Sequence, residues 1–189
     1  MAKLYFYFGC VTSSKTLNLL SSNYNFVIQG KKTYLMKPKI DTRFGETVIK
    51  SKLGISENVN LIIEDDTDIF KEVENIRVDC IFVDEAQFLS EEHIDQLRKI
   101  TIKLDIPVIC YGLKTDFKSK LFTGSKRLIE IADSINEIKS TCHYCKSKSI
   151  MNLKHHGDTI VTDGPTIELG SEELYFSVCY KCYDEKTNL

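Results

Sequence analysis

The sequence predicts an α/β fold: a parallel sheet covered by helices on both faces, followed by a small cysteine-held module. Three observations carry that reading. Apolar runs of strand length alternate with segments of helical periodicity, the order that builds parallel sheets. Two of these runs end in polar motifs of the kind found at the carboxyl ends of such strands. Leu4-Tyr5-Phe6-Tyr7-Phe8 leads into Gly9-Cys10-Val11-Thr12-Ser13-Ser14-Lys15-Thr16, and Cys80-Ile81-Phe82-Val83 leads into Asp84-Glu85-Ala86-Gln87. Near residue 140 the composition changes, and short β-prone pieces, Gly157, Gly164, Pro165 and Gly170 alternate with Cys142-x-x-Cys145 and Cys179-x-x-Cys182. A boundary drawn there divides the chain into an α/β domain, residues 1–139, and a smaller lobe, residues 140–189.

The elements follow in order. Residues 3–8 predict a buried strand. A helix begins near Lys15, with Leu17, Leu20, Tyr24 and Val27 or Ile28 at helical spacing as its buried face and Gly30 as its stop. Residues 33–37 predict a second strand, closed by Pro38. The polar and basic stretch 39–57, with Gly45 and Gly54, reads as a loop region over the surface. Residues 61–63 predict a short strand, 69–73 a short helix, and 80–83 the strand that carries Asp84. Ser90, followed by Glu91 and Glu92, starts a helix through Lys103 with Ile94, Leu97, Ile100 and Leu104 on one face. Residues 107–111 predict another buried strand ending at Gly112, 126–132 a helix, and 135–139 an extended segment.

Bulk properties exclude several classes. At 189 residues the chain buries one sizeable core with room for a small second module. Apolar residues at 42% and charged ones at 28% describe a globular chain and not a disordered one. A net charge of −2 makes no electrostatic case for duplex nucleic acid as a main partner. No apolar run approaches the ~18 residues of a membrane span, and the opening Met-Ala-Lys lacks the features of a signal peptide. The expectation is a cytoplasmic protein with neither nucleic acid nor membrane as partner. In that compartment seven cysteines are not a disulfide framework. Cys10, Cys80 and Cys110 lie singly in or beside apolar runs and read as small buried hydrophobes.

The motifs carry the chemistry. A strand feeding a loop that closes on Lys-Thr and opens a helix holds a triphosphate. Backbone N–H groups and the helix N-terminus meet the phosphate oxygens, the Lys screens charge, and the hydroxyl ligates Mg²⁺. Asp84-Glu85 after a strand supplies one carboxylate for the metal shell and another for proton transfer. Taken alone, the loop favours a nucleotide over a polar turn at a strand–helix junction, and Asp84-Glu85 reads equally as solvated carboxylates capping the next helix. Taken together they predict a parallel-sheet P-loop NTPase core binding ATP through residues 9–16 and 84–87. Ser14 stands where the usual loop has Gly, and a Cβ there crowds the phosphates or strains the backbone. The four paired cysteines match a tetrahedral structural Zn²⁺ site with Zn–S of about 2.3 Å. A reduced thiol set or a redox motif is the alternative, with His143, His155 and His156 as competing ligands.

In this order the phosphate loop, Lys39-Ile40-Asp41-Thr42-Arg43-Phe44-Gly45, Val83-Asp84-Glu85-Ala86-Gln87-Phe88, Tyr111-Gly112-Leu113-Lys114-Thr115-Asp116-Phe117 and the two cysteine pairs resemble the type II, zinc-containing thymidine kinases. The opening strand and the Asp-Thr-Arg-Phe-Gly stretch look most like the bacterial branch, and the resemblance runs from residue 3 to about 183. It implies a nucleotide-binding core, a C-terminal zinc-ribbon-like lobe carrying a lasso loop (residues 153–175) over the nucleoside, and a homotetramer. It also implies Mg²⁺-dependent transfer of the ATP γ-phosphoryl group to the 5′-hydroxyl of thymidine. Carried onto this chain, Glu85 is the general base, Lys15 stabilises the β- and γ-phosphates, and Thr16 ligates Mg²⁺. Asp84 holds the metal's water shell, and Arg43 sits near the transferring phosphoryl with Asp41 beside it. Val11, Phe88, Leu113, Phe117, Phe122, Asn152 and Tyr175 surround the nucleoside, and Cys142, Cys145, Cys179 and Cys182 hold zinc.

Three departures mark this chain: Ser14 for the loop Gly; Asn152 and Lys154 where Thr and Arg are usual; and Ser171 after Gly170 where a second Gly is common. Three rival readings stand beside a kinase. A helicase-like ATPase would need a second lobe and a basic stripe. A nucleotide-binding relative would have lost turnover through Ser14. A zinc-ribbon interaction module would act through residues 140–189.

Overall fold

The computed structural model describes residues 1–166 and 174–187. In chain order the strands and helices are β1 (Leu4–Phe8), α1 (Lys15–Val27), β2 (Thr33–Pro38), β3 (Val48–Lys50), β4 (Ser56–Asn58), β5 (Leu61–Ile63), α2 (Ile69–Val73), β6 (Cys80–Val83), α3 (Glu91–Lys103), β7 (Val108–Gly112), α4 (Thr123–Ile131), β8 (Ser134–Glu137), β9 (Met151–His156), β10 (Thr159–Val161), β11 (Tyr175–Val178) and α5 (Tyr180–Thr187). Six strands form one sheet in the order β5-β2-β6-β7-β1-β8, and every pairing within it is parallel. Strands β1 and β6 are separated only by β7, so the loops leaving their carboxyl ends meet on the same edge of the sheet.

Both faces of the sheet are covered, as parallel sheets require. On one face Leu4, Phe6, Met36, Ile81, Val83 and Val108 pack with Ile69 and Val73 of α2, Ile94, Leu97 and Ile100 of α3, and Leu128 of α4. On the other, Leu35, Cys80, Phe82 and Tyr111 pack with Leu19 and Leu20 of α1 and with Ile49. Ser90 caps α3 by accepting the His93 N–H at 3.1 Å. Cys10, Cys80 and Cys110 are buried, as a small hydrophobe would be.

Three local expectations change, and one helix is added. The buried stripe of α1 is Leu19, Leu20 and Asn23, and Tyr24, Val27 and Ile28 face outward. Lys15 sets the helix's rotation: it must point into the phosphate loop, and Leu19 and Asn23 follow it at four-residue steps. Residues 39–57 are not all loop, because β3 and β4 pair as an antiparallel hairpin. Ile49 drives that hairpin by burying itself against α1, and Gly54 at φ +86 turns it. Helix α4 begins at Thr123 because Gly124 and Ser125 are buried: a Cβ on Gly124 would lie 2.4 Å from the Ala86 carbonyl. The chain also ends in a helix, α5, opened by the second cysteine pair with Cys182 and Tyr183 turned inward.

Strands β10-β9-β11 form a separate antiparallel sheet. Its core draws only on residues from 142 to 183: Cys142, Met151, Leu153, Val178, Cys179, Cys182 and Tyr183. Gly170 and Ser171, and with them the middle of the expected lasso, lie outside the described residues.

Candidate active site

The phosphate loop leaves β1 and turns back at once into α1. Gly9 is forced by close approach, since a Cβ there would sit 2.3 Å from Ser13 Oγ and 2.7 Å from the Ile138 carbonyl. Thr12 and Ser14 both take left-handed backbone, at φ 62 and φ 60. Ser14 occupies the N-cap of α1 without making a side-chain capping bond. The strain anticipated at this serine is therefore present, and nothing that serine normally contributes at an N-cap offsets it. The buried Lys15 ammonium donates to the Cys10 carbonyl at 2.8 Å and so lies within the loop's curl.

The second motif arrives from β6. Thr16 Oγ1 donates to Asp84 Oδ2 at 3.0 Å, joining the two motifs directly. Burial, with the neighbouring Glu85 charge adding to it, pushes the Asp84 carboxyl up to about 7. Glu85 has left-handed backbone, φ 51, an outlier of the type that gathers at functional sites. Burial pushes its pKa upward, but Arg43, Lys15 and the Gln87 hydrogen bond outweigh burial and hold Glu85 below its ordinary range. Both of its oxygens are engaged. Arg43 is paired with Oε1, and Gln87 Nε2 donates to Oε2 at 2.5 Å. Arg43 Nε in turn donates to Asp41 Oδ1 at 2.7 Å.

Thr12, Ser14, Lys15, Thr16, Asp41, Arg43, Asp84 and Glu85 thus line one cavity of about 110 Å³, closed on one side by residues 50–53 of the β3–β4 hairpin. Hard oxygen donors beside a lysine suit Mg²⁺ and phosphate oxygens. The arrangement can neutralise a polyphosphate, and it offers an ionised carboxylate next to it.

The residues expected around the nucleoside form two aromatic pairs. Phe88 and Phe122 meet edge to face at 5.7 Å, and Phe117 lies 6.4 Å from Tyr175. Leu113 is half-buried, and its N–H donates to Gln87 Oε1 at 3.0 Å. Gln87 is thereby placed as a strut between Glu85 and the end of β7, and Gly112 has to be glycine because a Cβ would lie 2.6 Å from Gln87 Oε1. Asn152 is buried, with its amide oxygen accepting from the Val11 N–H and its amide nitrogen donating to the Thr115 carbonyl, both at 2.9 Å. Its visible task is to pin the phosphate loop to the C-terminal lobe. Thr12 Oγ1 and Ser177 Oγ, 3.2 Å apart, add a second pin. Ser177 stands outside every motif, and the sequence offers no signal for it. Lys37 carries a signal that is easily passed over: a charge inside a strand otherwise buried on both faces.

Among the described residues the four sulfurs of Cys142, Cys145, Cys179 and Cys182 lie within 4.8 Å of one another. Cys145 and Cys179 sulfurs are 3.6 Å apart, close to the ~3.8 Å edge of a tetrahedron with Zn–S near 2.3 Å. Burial raises the Cys142 thiol, but backbone N–H groups of Cys179, Tyr144 and Cys145 outweigh it and bring the thiol down to about 6. Cys145 is lowered as well, by the Ser147 N–H, whereas the hydrogen bond with Cys179 pushes Cys182 up to about 12, so it is the convergence of the four sulfurs that fits a zinc ion. His143 and His155 instead stack on opposite sides of Phe176, at 3.9 and 3.8 Å between ring centres.

Comparison with known proteins agrees with this assembly. The family model described as "Thymidine kinase" matches residues 2–183. The chain is 41% identical over 185 residues to the thymidine kinase of Streptococcus gordonii, covering 97% of this chain and 96% of that one. It is 40% identical to the thymidine kinase of Haemophilus influenzae, with 98% of each chain covered. It is also 40% identical to that of Pasteurella multocida, over the whole of both. A solved structure of Pif1 helicases at forked DNA covers 72% of this chain and 39% of its own, at 14% identity and a TM-score of 0.41, too distant to bear on function. With a family model spanning nearly its whole length and relatives this close, the chain belongs to the thymidine kinase family.

Proposed function

We propose that this chain is a Mg²⁺-dependent thymidine kinase, transferring the γ-phosphoryl group of ATP to the 5′-hydroxyl of thymidine to give dTMP. The phosphoryl-transfer reading is carried by one observation: the Thr16–Asp84 pair and the Arg43–Glu85 pair line the same cavity. The choice of thymidine is supported by family membership.

Each group has a task set by its chemistry. Residues 9–16 hold the triphosphate through backbone N–H groups, and Lys15 sets a cation against the β- and γ-phosphates. Thr16 and Asp84 would hold Mg²⁺, and the ion, when bound, neutralises charge on the same phosphates. Glu85 accepts the proton of the 5′-hydroxyl. Its depressed pKa keeps it ionised at neutral pH, so it stands ready as an acceptor. Phosphoryl transfer asks more for position and charge neutralisation than for a strong base. Gln87 orients Glu85, and Arg43 brings a guanidinium to the place where charge gathers on the transferring group. The Phe88–Phe122 and Phe117–Tyr175 pairs offer flat apolar faces to a methylated pyrimidine.

Zn²⁺ would be held by the four cysteines as a structural ion that keeps the C-terminal lobe in register. The separate core of that lobe supports reading residues 1–139 and 140–189 as two domains, with Asn152 and Ser177 as the pins between them. The outward Tyr24, Val27 and Ile28 of α1 support a homo-oligomer, a tetramer by resemblance, and light scattering on the purified protein tests it. No helix of the described residues is long and apolar enough to cross a membrane, and free cysteines suit a cytoplasmic setting.

The deciding experiment is Mg²⁺-dependent transfer of labelled γ-phosphate from ATP to thymidine, with deoxycytidine and deoxyadenosine in parallel. Selective formation of dTMP is expected. Absence of product from folded, zinc-loaded protein that still binds ATP would overturn the reading and leave a nucleotide-binding protein without turnover.

A further inference from the structure

Lys37 stands on β2, inside the parallel sheet, and its side chain is fully buried. An ammonium group removed from water is costly unless its donors are met. Here they are. Nζ donates to the Gly45 carbonyl at 2.7 Å and to the Val48 carbonyl at 2.9 Å, and it lies 3.6 Å from Asp41 Oδ2. All three oxygens belong to one stretch of chain, residues 41–48.

That stretch carries Arg43. Residues 42 and 44–47 are exposed, Gly45 has φ +101, and the backbone bonds that shape residues 41–46 are short-range, Asp41 N–H to the Pro38 carbonyl and Gly45 N–H to the Thr42 carbonyl, both at 3.1 Å, before Thr47 accepts from the Val59 N–H at 2.9 Å. An exposed segment with such local bonding is the sort of chain that moves. Lys37 reaches it from the interior of the sheet. Asp41 is shared between the two cations, with Oδ1 accepting from Arg43 Nε and Oδ2 facing Lys37. The chain of contacts therefore runs Lys37–Asp41–Arg43–Glu85. The same ammonium also ties down the start of β3, the root of the hairpin that closes the cavity.

We propose that Lys37 is a positioning residue for phosphoryl transfer: from inside the sheet it fixes residues 41–48 so that the Arg43 guanidinium stays on Glu85. The inference rests on the roles given above to Arg43 and Glu85. The geometry explains why a lysine is needed. A tetrahedral ammonium can point its three donors at three oxygens converging from one side, whereas the guanidinium of arginine is a flat fork. A methionine fills nearly the same volume but takes the donor from the Gly45 and Val48 carbonyls and the second cation from Asp41.

Steady-state kinetics on the zinc-loaded full chain, with thermal unfolding monitored beside thymidine and ATP turnover, tests this with Lys37→Met, Lys37→Arg, Arg43→Gln, Glu85→Gln and the Lys37→Met/Arg43→Gln pair. The expected result is a loss of about 10²-fold in kcat for Lys37→Met, the scale of a small misplacement at a catalytic centre. KM for thymidine should stay within about twofold, and Lys37→Arg should recover part of the lost rate. In the Arg43→Gln background, Lys37→Met should cost less than about twofold more, because both changes break one chain of contacts. If Lys37→Met does not fold, Lys37→Arg in the presence and absence of Arg43→Gln closes the same cycle. Losses that multiply in the double variant, while Glu85→Gln and Arg43→Gln are each impaired, overturn this inference alone. Full activity of Glu85→Gln and Arg43→Gln overturns the catalytic assignment, and this inference with it.

Discussion

Ser14→Gly should leave the protein more stable and no worse with ATP, and the structure fixes the size of the effect. Ser14 sits at φ 60, ψ 31 on the N-cap of α1, with no side-chain capping bond. A left-handed conformation costs an L-residue about 1–2 kcal/mol. Glycine adopts it freely but loses about 0.5–1 kcal/mol through the extra freedom of its unfolded chain. No hydrogen bond is given up, so the net gain is about 0.5–1 kcal/mol. For a chain of this length that raises Tm by roughly 1–4 °C. Ser14→Ala separates the causes, because it removes the hydroxyl yet keeps the strained backbone, and its Tm should match that of the parent chain. Thermal unfolding of the three proteins, followed by kcat/KM for ATP at saturating thymidine, reads both effects. A lower Tm for the glycine variant would refute the strain argument. A fall in kcat/KM for ATP would show instead that the serine serves turnover and that its strain is part of the site.

Three further outcomes are expected. Glu85→Gln keeps nucleoside affinity and loses about 10²–10⁴ in kcat, the worth of a general base; near-normal turnover removes Glu85 from that role. Asp84→Asn abolishes Mg²⁺-dependent turnover yet raises the Tm of the nucleotide-free protein, since a buried carboxylate with its pKa raised from 3.8 to about 7 is a liability to the fold. The sign follows from linkage: the folded state holds this proton more tightly than the unfolded one, so the stability advantage of Asn is absent near pH 4, grows between pH 4 and 7, and is complete above that. A Tm gain that shrinks with rising pH contradicts it. Removing zinc with a chelator should lower Tm and raise KM for ATP together, because Val11 and Thr12 of the phosphate loop are pinned to Asn152 and Ser177 of the lobe. Loss of stability with an unchanged KM for ATP would mean that the pins do not transmit the lobe's order.

The sheet and the two motifs that meet at the cavity are legible because each rests on a local rule. A strand of four or five apolar residues ending in Gly or Asp, or a Ser followed by two Glu before an apolar stripe, has the same meaning wherever it occurs. The misses share a cause too, which is that each was decided by a partner far away in sequence. The rotation of α1 is set by Lys15 in its loop and not by the most apolar stripe, so Tyr24 and Val27 turn to solvent. The hairpin in 39–57 exists because Ile49 finds Leu19, Leu20 and Leu35 across the core. Helix α4 starts ahead of residue 126 because Gly124 lets the Ala86–Leu89 backbone press against it and the buried Ser125 hydroxyl donates to the Leu113 carbonyl.

The same division runs through the site. Motif logic finds groups that line the cavity: Lys15, Thr16, Asp84 and Glu85. It does not find what holds those groups still, because holding depends on distance in space and leaves little pattern in the chain. Gln87 joins the expected ATP contacts by its place in a motif, and its amide links Glu85 to the Leu113 N–H. Asn152 is expected beside the base by resemblance, and both ends of its amide join the phosphate loop to Thr115. Its replacement of the usual Thr therefore bears first on the alignment of the phosphate loop. Asn152→Thr, which cannot span both partners with one hydroxyl, should affect KM for ATP at least as strongly as KM for thymidine, an order opposite to that expected of a residue that only reads the base.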